Sequence, residues 1–214
     1  MTRALTICLA LMGLAGCAQL DEPDQTPERE QLWQLSQQAL AGYQQWDMHA
    51  RAAVTLPGEV YNIGLQWRRD AEGLLFLLEA PFGQGVIRIE TGAAGFYRLS
   101  LPDGRLFLDK SPEALLEQVI GWSIPVSGLD YWIRGMPHPE GEFTRRIDGD
   151  GLAREISQDN WSIEYLDYYS DQEPTLPRRL RLAHEELKMR LVIDHWQARP
   201  TTEDDQSELF PEFN

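Results

Sequence analysis

The sequence has few of the residues that usually build catalytic or metal centres. It contains two cysteines and four histidines in 214 residues, and the histidines lie in separate segments at spacings that zinc sites do not use. The sequence also has no HExxH, G-x-S-x-G, Walker or G-x-G-x-x-G motif. Acidic residues are abundant, but no pair of carboxylates is marked out by its position. We therefore expect a binding protein that uses no metal and no cofactor, and not an enzyme.

Positive charge is the second scarcity. The chain has 19 lysines and arginines against 34 aspartates and glutamates, a formal net charge of −15. Such a surface repels phosphate backbones and anionic lipid headgroups, which argues against nucleic acid as a partner. Membrane attachment is then expected to come from a covalent lipid rather than from charge.

Long apolar runs are missing except at the N-terminus. Arg3 precedes an apolar run from Ala4 to Leu14, which is too short to cross a bilayer and is typical of an export signal. The run ends in Leu14-Ala15-Gly16-Cys17, which is similar to the lipobox of bacterial lipoproteins. We predict that residues 1–16 are removed and that Cys17 is acylated. An ordinary signal peptide that happens to contain a cysteine is the alternative.

A lipid on Cys17 leaves no disulfide for the fold. Cys8 is removed with the signal, so the core alone must hold the domain together even in an oxidising compartment. Ala18 follows the acylated cysteine, and by resemblance to sorted lipoproteins this residue favours the outer membrane over the inner one. We therefore expect a lipid-anchored protein on the periplasmic face of the outer membrane.

The mature chain is expected to be one folded domain between two polar ends. Residues 17–27 hold the lipidated N-terminus and an acidic, proline-containing tether. Residues 200–214 are an acidic tail that we predict to be disordered. Residues 28–199 between them are enough for one domain with a sizeable core.

Three helices are predicted from capping signals. Thr26 and Pro27 begin the first helix, and apolar residues at helical spacing are expected to form its buried stripe: Leu32, Leu35, Ala39 and Tyr43. Ser111 and Pro112 begin a second helix, with an apolar stripe of Leu115, Leu116, Val119 and Ile120. A third, short helix is predicted over residues 127–134, where Gly135 stops it.

The rest of the domain alternates apolar and polar residues with a period of two, which is typical of strands with one buried face. The first of these strands begins at Trp46 and the second at Tyr61, with a turn at Pro57-Gly58 between them. Further strands are predicted over 74–80, 86–91, 96–101, 105–109, near Phe143 and Leu152, and over 161–168, 179–184 and 187–196. The total is about eleven strands, and the short connections indicate antiparallel pairing.

One-sided alternation over so many strands predicts a mainly β fold with helices. We expect a curved antiparallel sheet whose apolar concave face is covered by the three helices. Three helices are too few to fill a large barrel, so we hypothesise a hydrophobic cavity lined by Trp46, Met48, Val54, Ile63, Leu65 and Trp67. A fully packed core would use the same residue types, and the residues alone do not decide between the two.

An apolar residue stands at a predicted hairpin tip. Phe82 lies between Pro81 and Gly83, where loops normally carry polar residues. An exposed phenylalanine loses about 2 kcal/mol of the hydrophobic stabilisation that burial would provide. The side chain therefore either packs against the folded domain or contacts lipid. Both interpretations stay open from the residues alone.

Residues 124–137, IPVSGLDYWIRGMP, resemble the signature of the LolB family. The resemblance extends from the first helix through Trp46, the strand of residues 61–67 and the loop at Phe82 to the closing Asp194-His195-Trp196. It implies an incomplete antiparallel β-barrel with a helical lid, enclosing a hydrophobic cavity for the acyl chains of another lipoprotein. It also implies that the Pro81-Phe82-Gly83 loop passes those chains to the membrane.

By that resemblance, the protein accepts lipoproteins from a LolA-like periplasmic carrier and inserts them into the inner leaflet of the outer membrane. It is expected to act as a monomer without nucleotide. A lipid-binding sensor or scaffold with a related fold is the alternative, which would keep the anchor and the cavity but need no exposed apolar tip. An enzyme acting on envelope polymers would need a cleft with paired carboxylates or a nucleophile.

Overall fold

The structure is a computed structural model that describes residues 26–79 and 85–200. These residues form three α-helices and eleven strands, in the order α1 (Pro27–Ala41), β1 (Gln45–Leu56), β2 (Glu59–Asp70), β3 (Gly73–Glu79), β4 (Val86–Thr91), β5 (Tyr97–Ser100), β6 (Leu106–Asp109), α2 (Pro112–Ile120), α3 (Val126–Trp132), β7 (Phe143–Ile147), β8 (Ala153–Gln158), β9 (Trp161–Tyr168), β10 (Pro177–His184) and β11 (Leu187–Arg199). The number and order of these elements confirm the prediction from the sequence.

All eleven strands belong to one antiparallel sheet. Its strand order is β6-β5-β4-β3-β2-β1-β11-β10-β9-β8-β7, so pairing of β1 with β11 joins two meanders. The two edges are therefore β6 and β7, and the sheet is an incomplete barrel. Because α2 and α3 connect these edges in the sequence, the chain crosses the open side there and buries Leu115 and Leu116 in the core.

Tight turns fix the register of the hairpins. Asp159 and Asn160 join β8 to β9 and both have positive φ, 53° and 64°, as the type I′ turns of two-residue hairpins require. Gly58, with φ of 81°, closes the hairpin between β1 and β2. Since a slip of one residue would turn every side chain to the other face, these turns decide which residues enter the core.

The concave face of the sheet is apolar from the edge strand β6 to β11. One row of paired residues crosses it: Phe107, Leu99, Ile89, Phe76, Trp67, Met48 and Trp196. Leu99, Ile89 and Met48 in this row are completely buried. The alternation of apolar residues in the sequence therefore identified the inward face of these strands.

The capping residues predicted for α1 and α2 are confirmed. Thr26 Oγ1 accepts a hydrogen bond from the Arg29 amide at 3.3 Å, and Ser111 Oγ accepts one from the Ala114 amide at 3.1 Å. The third helix ends at Trp132, two residues before its predicted end at 134, and the chain then turns at Gly135.

The buried stripe predicted for α1 is wrong. Trp33 and Leu40 are the buried residues of this helix. The residues predicted to be buried are exposed or half-exposed: Leu32, Leu35, Ala39 and Tyr43. Trp33 and Leu40 also share one helix face, and an indole removes more apolar area from water than a leucine side chain does. The helix therefore turns its tryptophan face inward.

Candidate functional site

Six side chains predicted to line a cavity lie on the concave face of β1 and β2. They are Trp46, Met48, Val54, Ile63, Leu65 and Trp67. Met48 lies opposite Trp67 in the register of the two strands, as Ala52 lies opposite Ile63. Trp67 is 1% exposed and Leu65 is 9% exposed, whereas Ile63 is only partly buried. Burial along β2 therefore falls toward the β1–β2 turn.

Aromatic rings pack the deeply buried end of this face. The ring of Trp46 lies 5.3 Å from Trp67 and 5.6 Å from Trp196, and Trp67 lies 4.8 Å from Phe76. Edge-to-face contacts of this kind contribute about 0.5–1.5 kcal/mol each beyond the area they bury. These four residues therefore form a packed aromatic floor beneath the concave face.

The less buried end of the concave face is here called the mouth, and it consists of Tyr61, Ile63, Leu78, Ile87 and Trp122. Leu78 lies opposite Ile87 in β3 and β4, and both pack against the core without being sealed by it. The ring of Tyr61 lies 5.2 Å from that of Trp122, which follows α2. Of the mouth residues, only Ile63 was predicted as a cavity residue, although the alternation in β3 and β4 held the signal for Leu78 and Ile87.

A charge cluster with two buried members and one half-exposed arginine joins α3 to the sheet at the end of β2 away from the mouth. The Asp130 cluster consists of Arg69, Asp130 and Arg134. Arg69 lies near the C-terminal end of β2, whereas Tyr61 lies near its N-terminal end. Arg69 Nη1 donates to Asp130 Oδ2 at 2.7 Å, and Arg134 Nη2 lies 3.5 Å from Asp130 Oδ1. Arg134 Nη1 also donates to the Tyr43 carbonyl at 3.3 Å. The cluster thus ties α3 to β2 and to the segment after α1.

The charges of this cluster depend on one another. The side chains of Asp130 and Arg134 are 6% and 8% exposed. Burial raises the pKa of Asp130 although Arg134 and Arg69 favour its charged form, and burial lowers the pKa of Arg134 although Asp130 opposes that shift. Removing either partner would leave the other charge buried with less compensation.

Glu113 joins the two helices that cover the concave face. Its Oε1 accepts hydrogen bonds from N and Oγ of Ser127, at 2.8 and 2.7 Å, and its Oε2 accepts one from Ser111 Oγ at 2.7 Å. Burial alone would raise the pKa of Glu113, but the hydrogen bonds from Ser127 and Ser111 outweigh it and hold the pKa below its usual value. The start of α2 and the start of α3 are therefore linked through one carboxylate.

Gln158 ties the segment after α3 to strand β8. Its Oε1 accepts from Trp132 Nε1 at 2.9 Å and from the His138 amide at 2.8 Å. Its Nε2 donates to the carbonyls of His138 and Glu140 at 2.9 and 3.0 Å. The burial of Gln158 was not predicted from the sequence, since a glutamine next to a turn is normally a surface residue.

Five predicted features lie outside the described residues. They are the export signal of residues 1–16, Cys17, the tether up to residue 25, the Pro81-Phe82-Gly83 loop and the acidic tail from residue 201 onward. Within residues 26–79 and 85–200, no helix is long and apolar enough to span a bilayer. The same residues bring no three histidine, cysteine, aspartate or glutamate side chains together as a metal site.

Comparison with known proteins identifies the family of this chain. The sequence model of the family described as "Outer membrane lipoprotein LolB" matches residues 44–196, which run from the residue before β1 into β11. The chain belongs to the LolB family. The matched region contains the mouth, the aromatic floor and the Asp130 cluster, so the site described above is part of the LolB domain itself.

Curated LolB proteins match nearly the whole chain. The outer-membrane lipoprotein LolB of Nitrosococcus oceani is 35% identical over 91% of this chain and 97% of its own length. The one from Chromohalobacter salexigens is 35% identical over 86% of this chain and 85% of its own length. A solved DUF1329 family protein from Desulfovibrio piger superposes with a TM-score of 0.53 over 83% of this chain and 94% of that protein, at 10% identity. That likeness shows a shared fold alone.

Proposed function

We propose that this chain is an outer-membrane lipoprotein that accepts other lipoproteins from a LolA-like periplasmic carrier and inserts them into the inner leaflet of the outer membrane. The observation that supports this most is its membership of the LolB family over residues 44–196. The apolar concave face, least buried at the mouth, supplies a surface suited to acyl chains. Neither step requires a catalytic group or a cofactor.

The mouth is the proposed entrance for the acyl chains of a passenger. Each methylene group removed from water contributes about 0.8 kcal/mol, so an acyl chain gains strongly from contact with Ile63, Leu78 and Ile87. The contact between Tyr61 and Trp122 joins two rings, and an acyl chain can replace one apolar contact with another. Chains that enter here would advance along β2 past Leu65 toward the aromatic floor.

Differences in affinity are sufficient to drive this transfer. Passengers move downhill if the concave face binds them more tightly than the carrier does and less tightly than a bilayer does. A bilayer buries an acyl chain completely, whereas the mouth leaves part of its own surface exposed. The proposed order of affinities therefore agrees with the burial at the site.

Cys17 and Phe82 are the two residues proposed to act at the membrane, one in anchoring and one in delivery. One acyl chain binds a membrane only weakly, with a constant of about 10⁴ M⁻¹, and stable anchoring takes a second chain or signal. Multiple acylation of Cys17 would therefore keep the acceptor at the membrane. Phe82, between Pro81 and Gly83, would present an apolar tip through which the passenger is passed to lipid. We propose that one copy of the chain suffices.

A transfer assay tests the entrance. A LolA-type carrier loaded with a fluorescent triacylated lipoprotein is mixed with phospholipid vesicles and the acylated protein, as wild type, Leu78→Asp or Leu108→Asp. Leu78 lies in the mouth, whereas Leu108 lies in β6 and is 66% exposed. We expect wild type and Leu108→Asp to move the label into vesicles, and Leu78→Asp to take up about tenfold less, because a carboxylate there opposes acyl burial. Normal uptake by Leu78→Asp would show that the mouth is not the entrance.

The same assay tests the delivery loop and the alternative function. Phe82→Glu should take the label from the carrier but release it poorly to vesicles, while the conservative Phe82→Leu should behave as wild type. Equal release by Phe82→Glu would remove the loop from the mechanism. If wild type takes no label at all, the acceptor role is wrong and a lipid-binding sensor or scaffold becomes the better interpretation.

A further inference from the structure

The tip of the hairpin between β1 and β2 carries apolar side chains that the core does not use. Val60 is 62% exposed and Tyr61 is 39% exposed, directly after the turn at Pro57 and Gly58. Turns at the surface of a protein normally carry polar residues. Val60 therefore adds little to the packing of the domain, and its side chain is available for contact with something outside it.

This tip is continuous with the mouth. Tyr61 belongs to both, because its ring contacts Trp122 at 5.2 Å while its neighbour Val60 points away from the core. Ile63, two residues farther along β2, lies on the concave face with Tyr61. An apolar surface thus runs from Tyr61 at the tip of the hairpin to Ile63 on the concave face, while Val60 lies on the opposite face of the sheet.

The β1–β2 turn and the β10–β11 turn lie side by side at one end of the sheet and differ in their charged residues. Residues 56–63 contain a single charged side chain, Glu59, whose carboxylate accepts a hydrogen bond from the Tyr61 hydroxyl. Pairing of Thr55 with Lys188 places the β10–β11 turn beside the β1–β2 turn, and that neighbouring turn carries exposed Glu185 and Glu186. The tip of one hairpin therefore carries one acidic side chain, and the neighbouring turn carries two, followed by exposed Lys188 beside Thr55.

We propose that the β1–β2 hairpin tip rests in the surface of a zwitterionic phospholipid layer, with Val60 among the upper acyl groups and the Tyr61–Trp122 pair at the lipid–water boundary. Tyrosine and tryptophan favour that boundary because each has an apolar ring and a polar end. Residues 56–63 include no basic residue with which to attract anionic lipid, and the neighbouring Lys188 follows two glutamates, Glu185 and Glu186, on a turn that stays in water. This inference rests on the proposed function, since it makes the mouth open directly onto lipid.

Single-cysteine labelling tests the contact. In the mature protein, acylated on Cys17, Val60→Cys is labelled with an environment-sensitive nitrobenzoxadiazole dye on vesicles of phosphatidylcholine and phosphatidylethanolamine. Leu108→Cys, 66% exposed on the edge strand, and Glu186→Cys, on the neighbouring turn, are the controls. We expect a blue shift and quenching by doxyl-labelled lipid at position 60 alone. Equal signals at all three positions, or a signal at 60 no stronger than at 186, would overturn the proposal.

A second pair of variants separates this inference from the proposed function. Val60→Asp should take passenger from the carrier as wild type does but deliver it to vesicles about tenfold more slowly, whereas Val60→Ile should deliver normally. Unchanged delivery by Val60→Asp contradicts the membrane contact. Failure of wild type to take any passenger contradicts the proposed function and leaves the labelling result standing. If the dye at position 60 responds to the carrier and not to vesicles, the tip is a carrier-docking surface and the proposal is wrong.

Discussion

The two ends of the helical layer differ in what holds them to the sheet. At one end, Asp130 pairs with Arg69 of β2 at 2.7 Å, and Arg134 donates a hydrogen bond to the Tyr43 carbonyl, which precedes β1, at 3.3 Å. At the mouth, the rings of Tyr61 and Trp122 meet 5.2 Å apart. Buried ion pairs are costly to break, while an apolar contact can be exchanged for another of similar size. We therefore expect α2 and α3 to keep their position at the Asp130 cluster and to be able to move at the mouth.

This difference suits a ligand made of methylene groups. An acyl chain has the same chemistry as the side chains of Ile63, Leu78 and Ile87, so it can take their partners' place at the mouth with little loss. It offers nothing to replace the hydrogen bonds of Asp130 and Arg134. Occupation is therefore expected to rearrange the mouth and to leave the Asp130 cluster intact, and the following changes test each end separately.

The largest loss of stability is expected from a substitution in the Asp130 cluster. Asp130→Ala removes the carboxylate from a cluster in which the Arg134 side chain is 8% exposed, and an unpaired buried charge costs about 3–5 kcal/mol. We expect chemical denaturation to show a loss of that size in the free energy of unfolding. Asp194→Ala is the matched control, because Asp194 pairs with Arg51 at 2.7 Å while the two side chains are 44% and 72% exposed. The control should lose less than about 1 kcal/mol, and equal losses would refute the contrast.

A second pair of variants measures the loss of burial along one strand. Ile89 and Ile87 both lie on the concave face of β4, but Ile89 is completely buried and Ile87 is partly buried at the mouth. Ile89→Ala is expected to cost about 2–5 kcal/mol of stability, and Ile87→Ala less than half of that, because less surface and a smaller cavity are involved. Thermal and denaturant unfolding measure both. A larger loss for Ile87→Ala would mean that the mouth is part of the rigid core.

How far these features follow from the sequence depends on the distance between the residues involved. The inward face of β1 and the caps at Thr26 and Ser111 are local patterns, and the sequence predicts them correctly. The stripe of α1 is also local, yet it was wrong because two helix faces carry apolar residues and only the sheet decides between Trp33 and Leu35. Local patterns therefore predict an element better than they predict its orientation.

The polar ties could not be predicted, because they join distant parts of the chain. Arg69 and Asp130 are 61 residues apart, and Glu113 and Ser127 are 14 apart. Nothing in the spacing of these residues distinguishes them from surface charges, which are common in a chain with 34 acidic residues. The six residues of the cavity hypothesis lie on the concave face, and the pairing of β2 with β3 and of β3 with β4 was needed to find the mouth.

The smallest effect is expected from the link between the two helices. Since hydrogen bonds hold the pKa of Glu113 below its ordinary value of 4.5, its ionised form stabilises the fold above that pH, and this contribution is lost as the pH falls through the lower folded-state pKa. Between pH 7 and pH 3, wild type should therefore lose more stability than Glu113→Gln. Glu117→Gln, exposed on α2, should follow wild type. Parallel curves for wild type and Glu113→Gln would show that the link contributes nothing.

Photocrosslinking tests whether acyl chains occupy the concave face through the mouth. A passenger lipoprotein with diazirine-bearing acyl chains is transferred from the carrier, irradiated on the protein before vesicles are added, and mapped by mass spectrometry. We expect crosslinks to Ile63, Leu78 and Ile87, and none to the exposed Leu106 and Leu108 of β6. Crosslinks concentrated on those two outer leucines, or on Leu32 and Leu35 of α1, would contradict it.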